Sequence, residues 1–233
     1  MNPVHTTSII LQKVQTKDFK YIVKLYTEKH GLLSAEIEIK HHLQPSYILP
    51  PNINDVVLLQ NKYKKIYIKD IQPNYIFKHL YSDYKKNIIS QFILEILLKS
   101  IKEEYADKNT FQFILNTFKT LDCIEESSTP TFHLQFLKQY IQISGYYPVD
   151  NFSSTNEYFD LKHGRFSSHP SNTTLSADDS KILYSFLFDN NNIQNTPILR
   201  LTHIILDYIK IHLSITDIQS LPFLKEGIIL LEF

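Results

Sequence analysis

The chain has 233 residues, 43% of them hydrophobic, with one cysteine, four glycines and 24 basic side chains set against 24 acidic ones. That length fits one large domain or two modest ones, and the apolar share supports a buried core, so collagen-like, disordered and disulfide-stapled classes are excluded. No apolar run reaches the roughly 18 residues of a membrane span and no basic leader precedes Ile9-Ile10-Leu11, so a cytoplasmic protein with no membrane partner is expected.

The first third reads as β-structure. Thr7–Lys13 is a short β-rich run, and Tyr21–Thr27 is dense in β-branched and aromatic residues. Glu28-Lys29-His30 and Gly31 make a turn. From Ser34 to Lys40 the pattern alternates strictly, with Glu36 and Glu38 on one face and Ile37 and Ile39 on the other, which marks a half-buried strand. Pro45, Pro50 and Pro51 belong to a loop. Val56–Leu59 and Ile66–Ile71 give two more strands around the basic turn Asn61–Lys65. Five short strands in about 75 residues suit a small closed barrel of the OB type.

Beyond residue 75 the period becomes helical. Ile88, Ile89, Phe92, Ile93, Ile96, Leu97 and Ile101 form a broad apolar stripe. Phe111, Ile114, Phe118 and Leu121 repeat it after Asn109, the expected N-cap. Thr129-Pro130 and Thr196-Pro197 each read as a helix start, and Gly145 with Pro148 as a stop. Ser176 to Asp179 has the capping-box pattern and opens a helix to about Phe188, and a short last helix follows Asp217. Residues 146–177 form a polar loop with one hairpin, Tyr158–Leu161 and Gly164–Phe166. The expected class is α+β: an OB-fold β-barrel domain over 1–75, then an all-α helical domain over 76–233.

No enzyme motif is present: no Gly-rich phosphate loop, paired-His zinc helix or nucleophile elbow. His41 and His42 are strand neighbours pointing to opposite faces, and His133, His163 and His169 have no carboxylate at ligand spacing, so neither metal nor cofactor is expected. Cys123 reads as a buried, inert thiol, and Asp178-Asp179 as acids favouring a helix N-terminus rather than a catalytic dyad.

Charge is the stronger signal. Residues 1–75 hold ten lysines against six acids, and the remainder holds 14 basic against 18 acidic residues, so a neutral total hides a basic first third. Lys13, Lys17, Lys20, Tyr21, Lys24, Tyr26 and Lys29 lie on or beside one stretch, and Lys62, Tyr63, Lys64, Lys65 and Tyr67 form a second cluster in a hairpin. Cations that follow phosphates, interleaved with aromatic faces, suit single-stranded nucleic acid. The alternatives are that the lysines are solvated turns, that Tyr21, Tyr26 and Tyr67 are core, and that the barrel serves as a protein-interaction adaptor without direct DNA binding.

The opening run Thr7–Leu11 is followed by Tyr26-Thr-Glu-Lys-His-Gly-Leu-Leu-Ser34. Leu43-Gln-Pro45, Gln91–Leu97, Phe132–Leu137, Ser144–Pro148, Tyr158–Gly164 and the closing run from Arg200 come after it in that order. In order and spacing these motifs resemble the bacterial RecO family of recombination mediators. The lack of cysteines in 150–170 resembles Bacteroidetes-type members, so the zinc cluster of other members is not expected, and its structural role passes to Phe152, Tyr158, Phe159 and Phe166.

The resemblance implies an N-terminal OB-fold, a helical domain and no catalysis. It implies binding to single- and double-stranded DNA, annealing of complementary strands, and, with RecR, loading of RecA recombinase onto DNA coated by single-stranded-DNA-binding protein. It further implies binding of that coating protein's acidic C-terminal tail by the helical domain. Arg200, with Lys210 further along the same helix, is the candidate for that tail. The alternative is an interior Arg200 tying helices together.

Overall fold

The computed structural model describes residues 3–39, 43–102, 105–189 and 197–229. The expectations placed on Lys40, on the His41-His42 pair and on Thr196 lie outside the described residues.

Five strands close into a barrel: β1 (Val4–Lys17), β2 (Lys20–Thr27), β3 (Gly31–Glu38), β4 (Ile53–Gln60) and β5 (Ile66–Tyr75), in the order β1-β2-β3-β5-β4. Closure comes from β1 against β4, Val4 opposite Leu58 through Ile9 opposite Ile53. The β3–β5 seam is parallel and holds the single register pair Glu36 and Tyr67. This is the OB arrangement expected from the sequence. Alternation sets the faces: Ala35 and Ile37 point into the barrel with Val23, Leu25, Val56 and Ile71, while Glu36 and Glu38 point out. β1 runs well beyond Thr7–Lys13 at both ends, because Val4–Thr6 pair with β4 and Val14–Lys17 with β2.

The helices are α1 (Tyr84–Ser100), α2 (Lys108–Cys123), α3 (Phe132–Ile143), α4 (Ala177–Leu187), α5 (Ile198–Leu213) and α6 (Leu221–Ile229). The α2 cap is Asp107 rather than Asn109: its carboxylate accepts from the N–H groups of Asn109 and Thr110, so the helix begins one residue earlier than Asn109. Thr129-Pro130 lies inside a 3-10 helix, Glu126–Thr131, and α3 starts only at Phe132. At α4 the expected cap holds, with Asp179 N–H donating to Ser176 Oγ at 3.1 Å.

Contacts divide the chain into two compact units, Met1–Glu125 and Glu126–Phe233. Strands give way to helices between Tyr75 and Tyr84, yet α1 and α2 belong to the barrel's unit. Two contacts show why. The Tyr26 ring, on the outer wall of β2, stacks on Phe111 of α2 with centroids 6.3 Å apart. The Asp122 carboxylate, near the end of α2, accepts the N–H groups of Lys78, His79 and Leu80 in the connector that leaves β5. The neighbouring Cys123 is exposed, against expectation: one residue past buried Asp122, it turns off the apolar stripe of α2.

In the second unit a short hairpin, β6 (Tyr158–Asp160) and β7 (Arg165–Ser167), packs by its aromatic rings. Phe152 stacks on Tyr184 at 4.5 Å, and Phe159 meets Phe166 at 5.0 Å and Tyr208 at 5.6 Å. Tyr158 stays half-buried beside them. Gly164 closes the turn at φ 64°, and a Cβ there would stand 2.6 Å from the Tyr208 hydroxyl, so only glycine fits without a shift.

Candidate nucleic-acid interface

Two hairpins project the charged residues of the barrel. In the first, β1 and β2 end with Lys17 opposite Lys20 around the turn Asp18-Phe19. In the second, β4 and β5 are joined by 61–65, where Asn61 Oδ1 accepts the N–H groups of Tyr63 and Lys65, at 2.9 and 3.0 Å. That side-chain turn fixes the tip and lets Lys64 take a left-handed φ of 63°. An open groove of about 790 Å³ runs between β2–β3 and the second hairpin, lined by Ile22, His30, Ser34, Glu36, Lys64 and Lys65 among others.

The expected site residues separate into three groups. Lys17, Lys20, Lys24, Lys62, Lys64 and Lys65 are exposed on the hairpins and on β2, and Lys13 is half-buried on β1 opposite Val23. Among the described residues, Lys17, Lys24, Lys62 and Lys64 have no carboxylate within ion-pair distance, whereas Lys65 meets Glu36 at 3.3 Å and Lys20 meets Glu38 at 4.0 Å. Lys29 lies apart, in the turn at the other end of β2 from Lys20, and its Nζ donates to the His5 carbonyl at 2.6 Å.

The tyrosines behave differently. Tyr63 is 72% exposed, with Lys62 Nζ 5.0 Å from its ring centroid. Tyr21 packs partly buried against the barrel interior, and Tyr67 is half-buried, its hydroxyl accepting from Asn61 Nδ2. Tyr26 is a correction: at 3% exposure under Phe111 it offers no face to a base, because α2 covers that side of β2. Sequence reasoning passed over Phe19, 66% exposed at the first tip, and Asn61, which organises the second. An Asn opening a Lys-rich turn was a legible signal for the latter.

On the helical unit, Arg200, His203, Asp207 and Lys210 recur along one face of α5. Arg200 donates from Nε and Nη2 to the two carboxylate oxygens of Asp179 in α4, at 2.8 and 2.5 Å. It therefore ties two helices, as the alternative reading held, but its side chain is 58% exposed rather than interior. Those hydrogen bonds hold the Asp179 carboxyl below the usual carboxylate range. Lys210 Nζ lies 3.5 Å from Asp207. Burial pushes the His203 pKa down, and the charges of Lys225, Lys210 and Arg200 act in the same direction against that of Asp207.

Among the described residues no three His, Cys, Asp or Glu side chains gather as a metal set, and no helix is long and apolar enough to cross a membrane. One histidine expectation is corrected: the turn between β6 and β7 brings Asp160 Oδ2 to 2.7 Å from His163 Nδ1, although the spacing had suggested no carboxylate partner.

Comparison with known proteins follows the same lines. The family model "Recombination protein O C terminal" matches residues 81–221. A DNA repair protein RecO from Azobacteroides pseudotrichonymphae is 30% identical over 78% of this chain and 78% of its own. Those of Flavobacterium johnsoniae and Bacteroides fragilis are 28% and 25% identical, over 96% and 95% of this chain and 98% and 97% of their own. With an OB barrel followed by helices, and with a match across most of its length, the chain belongs to the RecO family of DNA repair and recombination proteins.

Proposed function

We propose that this protein binds single- and double-stranded DNA through the two barrel hairpins and the groove beside them, and that it works without catalysis. What supports the reading is that Lys20 meets Glu38 and Lys65 meets Glu36 on the outer face of β3, so the two lysine clusters, far apart in sequence, border one strand, and each hairpin tip carries an exposed aromatic. Contacts to phosphates make binding independent of sequence and sensitive to salt. Bringing two strands together with their repulsion screened then anneals complementary strands with no chemical step.

The family resemblance extends this to a mediator that, in the cytoplasm and at the nucleoid, loads RecA recombinase with RecR onto DNA coated by single-stranded-DNA-binding protein. The positive face of α5 and α6 suits the acidic tail of that coating protein. Asp179 occupies part of the Arg200 guanidinium and Asp207 lies 3.5 Å from Lys210 Nζ, so the tail's carboxylates would share these cations with acids already present. Strand annealing, measured with and without the coating protein, tests the reading. Annealing that is lost on Lys20, Lys24, Lys64 and Lys65→Glu supports it, and absence of DNA binding at low salt favours a protein-interaction adaptor instead. For the tail, Lys210→Glu leaves the Arg200–Asp179 contact intact, and a tail peptide that binds this variant and Arg200→Ala as well as wild type removes α5 as its site.

A further inference from the structure

Phe19 is placed where folding gains little from it. It sits at the tip of the β1–β2 hairpin between Lys17 and Lys20, with 66% of its surface in solvent. Its backbone has φ 59°, in the left-handed region that bulky side chains avoid and that Asn or Gly adopts easily. An exposed ring in a costly conformation points to function rather than packing.

The tip is also fastened. The Phe19 carbonyl accepts the Ile39 N–H at 2.8 Å, which ties the turn to the chain leaving β3 and fixes the backbone that carries the ring. The outer face of the hairpin continues the apolar surface: Val14 and Ile22 lie directly opposite each other and are 51% and 39% exposed. Cations flank this surface on both strands. The second hairpin repeats the design, with exposed Tyr63 next to left-handed Lys64.

An exposed ring on a fastened backbone, with lysines on both strands beside it, matches one occupant well: a nucleobase whose neighbouring phosphates meet the lysines. Every base has a π-face, but a duplex hides it within the stack, so only unpaired bases can use such a platform. We infer that Phe19 is a stacking platform for an unpaired base, so that the β1–β2 hairpin distinguishes single-stranded from double-stranded DNA. This rests on the DNA-binding reading above and adds to it the group that senses strandedness.

The test uses the full chain, which has no tryptophan. Phe19→Ala lowers affinity for an oligodeoxythymidine by about 5- to 100-fold, while duplex affinity and the salt slope stay as in wild type. Phe19→Asn relieves the backbone, so the variant folds at least as well as wild type and shows the same selective loss. Phe19→Trp keeps the affinity, and its single indole is quenched on adding the oligodeoxythymidine. Wild-type binding by Phe19→Asn, an equal loss for single and double strands, or an unquenched indole in a protein that has bound DNA would overturn the assignment. Failure of the lysine face is separable. If the four Lys→Glu changes leave binding intact while Phe19→Ala lowers it, the lysines are wrong and the stacking stands. The reverse pattern removes the stacking and keeps the lysines.

Discussion

Lys65 Nζ lies 3.3 Å from Glu36 Oε1, across the seam where β3 and β5 meet through one register pair. Lys20 and Glu38 repeat the arrangement at 4.0 Å between β2 and β3. Both pairs are well exposed, so each contributes at most about 1 kcal/mol to folding. Their larger effect is on binding, because a phosphate reaching Lys65 or Lys20 must displace a carboxylate or approach its charge.

Replacing Glu36 and Glu38 by Gln therefore raises affinity for single-stranded DNA by about 3- to 10-fold and costs at most about 2 kcal/mol of folding stability. Fluorescence anisotropy at fixed salt measures the first and denaturation the second. Equal or weaker binding by the double variant would show that these acids do not oppose DNA.

Asp122 predicts a stability effect far from that face. Burial alone would raise the pKa of its carboxyl, but the N–H groups of Lys78, His79 and Leu80 hold it below the ordinary range. The Tyr75 hydroxyl donates to it as well, and the buried Lys86 ammonium donates to the Asp122 and Ile124 carbonyls at 2.8 Å each. Asp122→Ala leaves the buried Leu80 N–H and the part-buried N–H groups of Lys78 and His79 without their acceptor and costs about 3 kcal/mol. Asp122→Asn keeps the shape but loses the charge, and falls between the two. Urea unfolding of both variants checks the order.

His133 predicts acid sensitivity. It is fully buried in α3, its Nε2 is 2.8 Å from Thr202 Oγ1 in α5, and burial pushes its pKa down to about 3. The unfolded chain takes up this proton below about pH 6.5, whereas the folded chain does not until about pH 3. Its contribution is complete above pH 6.5 and declines as the pH falls toward 3, by up to about 1.4 kcal/mol per unit. The difference between wild type and His133→Gln isolates this group. Wild type loses stability faster between pH 6 and pH 4, and parallel curves would contradict the assignment.

Much of the fold was legible from pattern alone. The alternation of Glu36 and Glu38 with Ile37 and Ile39 identified both the strand and its inward face, and Ser176 marked the start of α4. Where tertiary pairing decided, sequence reasoning fell short. Gln15, Thr16 and Lys17 carry no apolar signal, yet they extend β1 because β2 lies alongside. Asp107 outcompetes Asn109 because its carboxylate reaches two backbone N–H groups. The clusters of lysines were visible, but which tyrosines face solvent was not. Tyr26 sits outside the barrel as alternation requires, and only the packing of α2 shows that it is covered. Phe19 was overlooked because a single aromatic in a polar turn carries no pattern that marks its left-handed backbone or its exposure.

The salt dependence of binding to labelled single-stranded DNA bears most directly on the DNA face. Relative to wild type, the variant with Lys20, Lys24, Lys64 and Lys65 changed to Glu loses at least about tenfold in affinity, and its slope of log K against log salt becomes shallower by about 0.7 for each phosphate contact removed. A folded variant with wild-type affinity and an unchanged slope would show that DNA does not bind this side of the barrel.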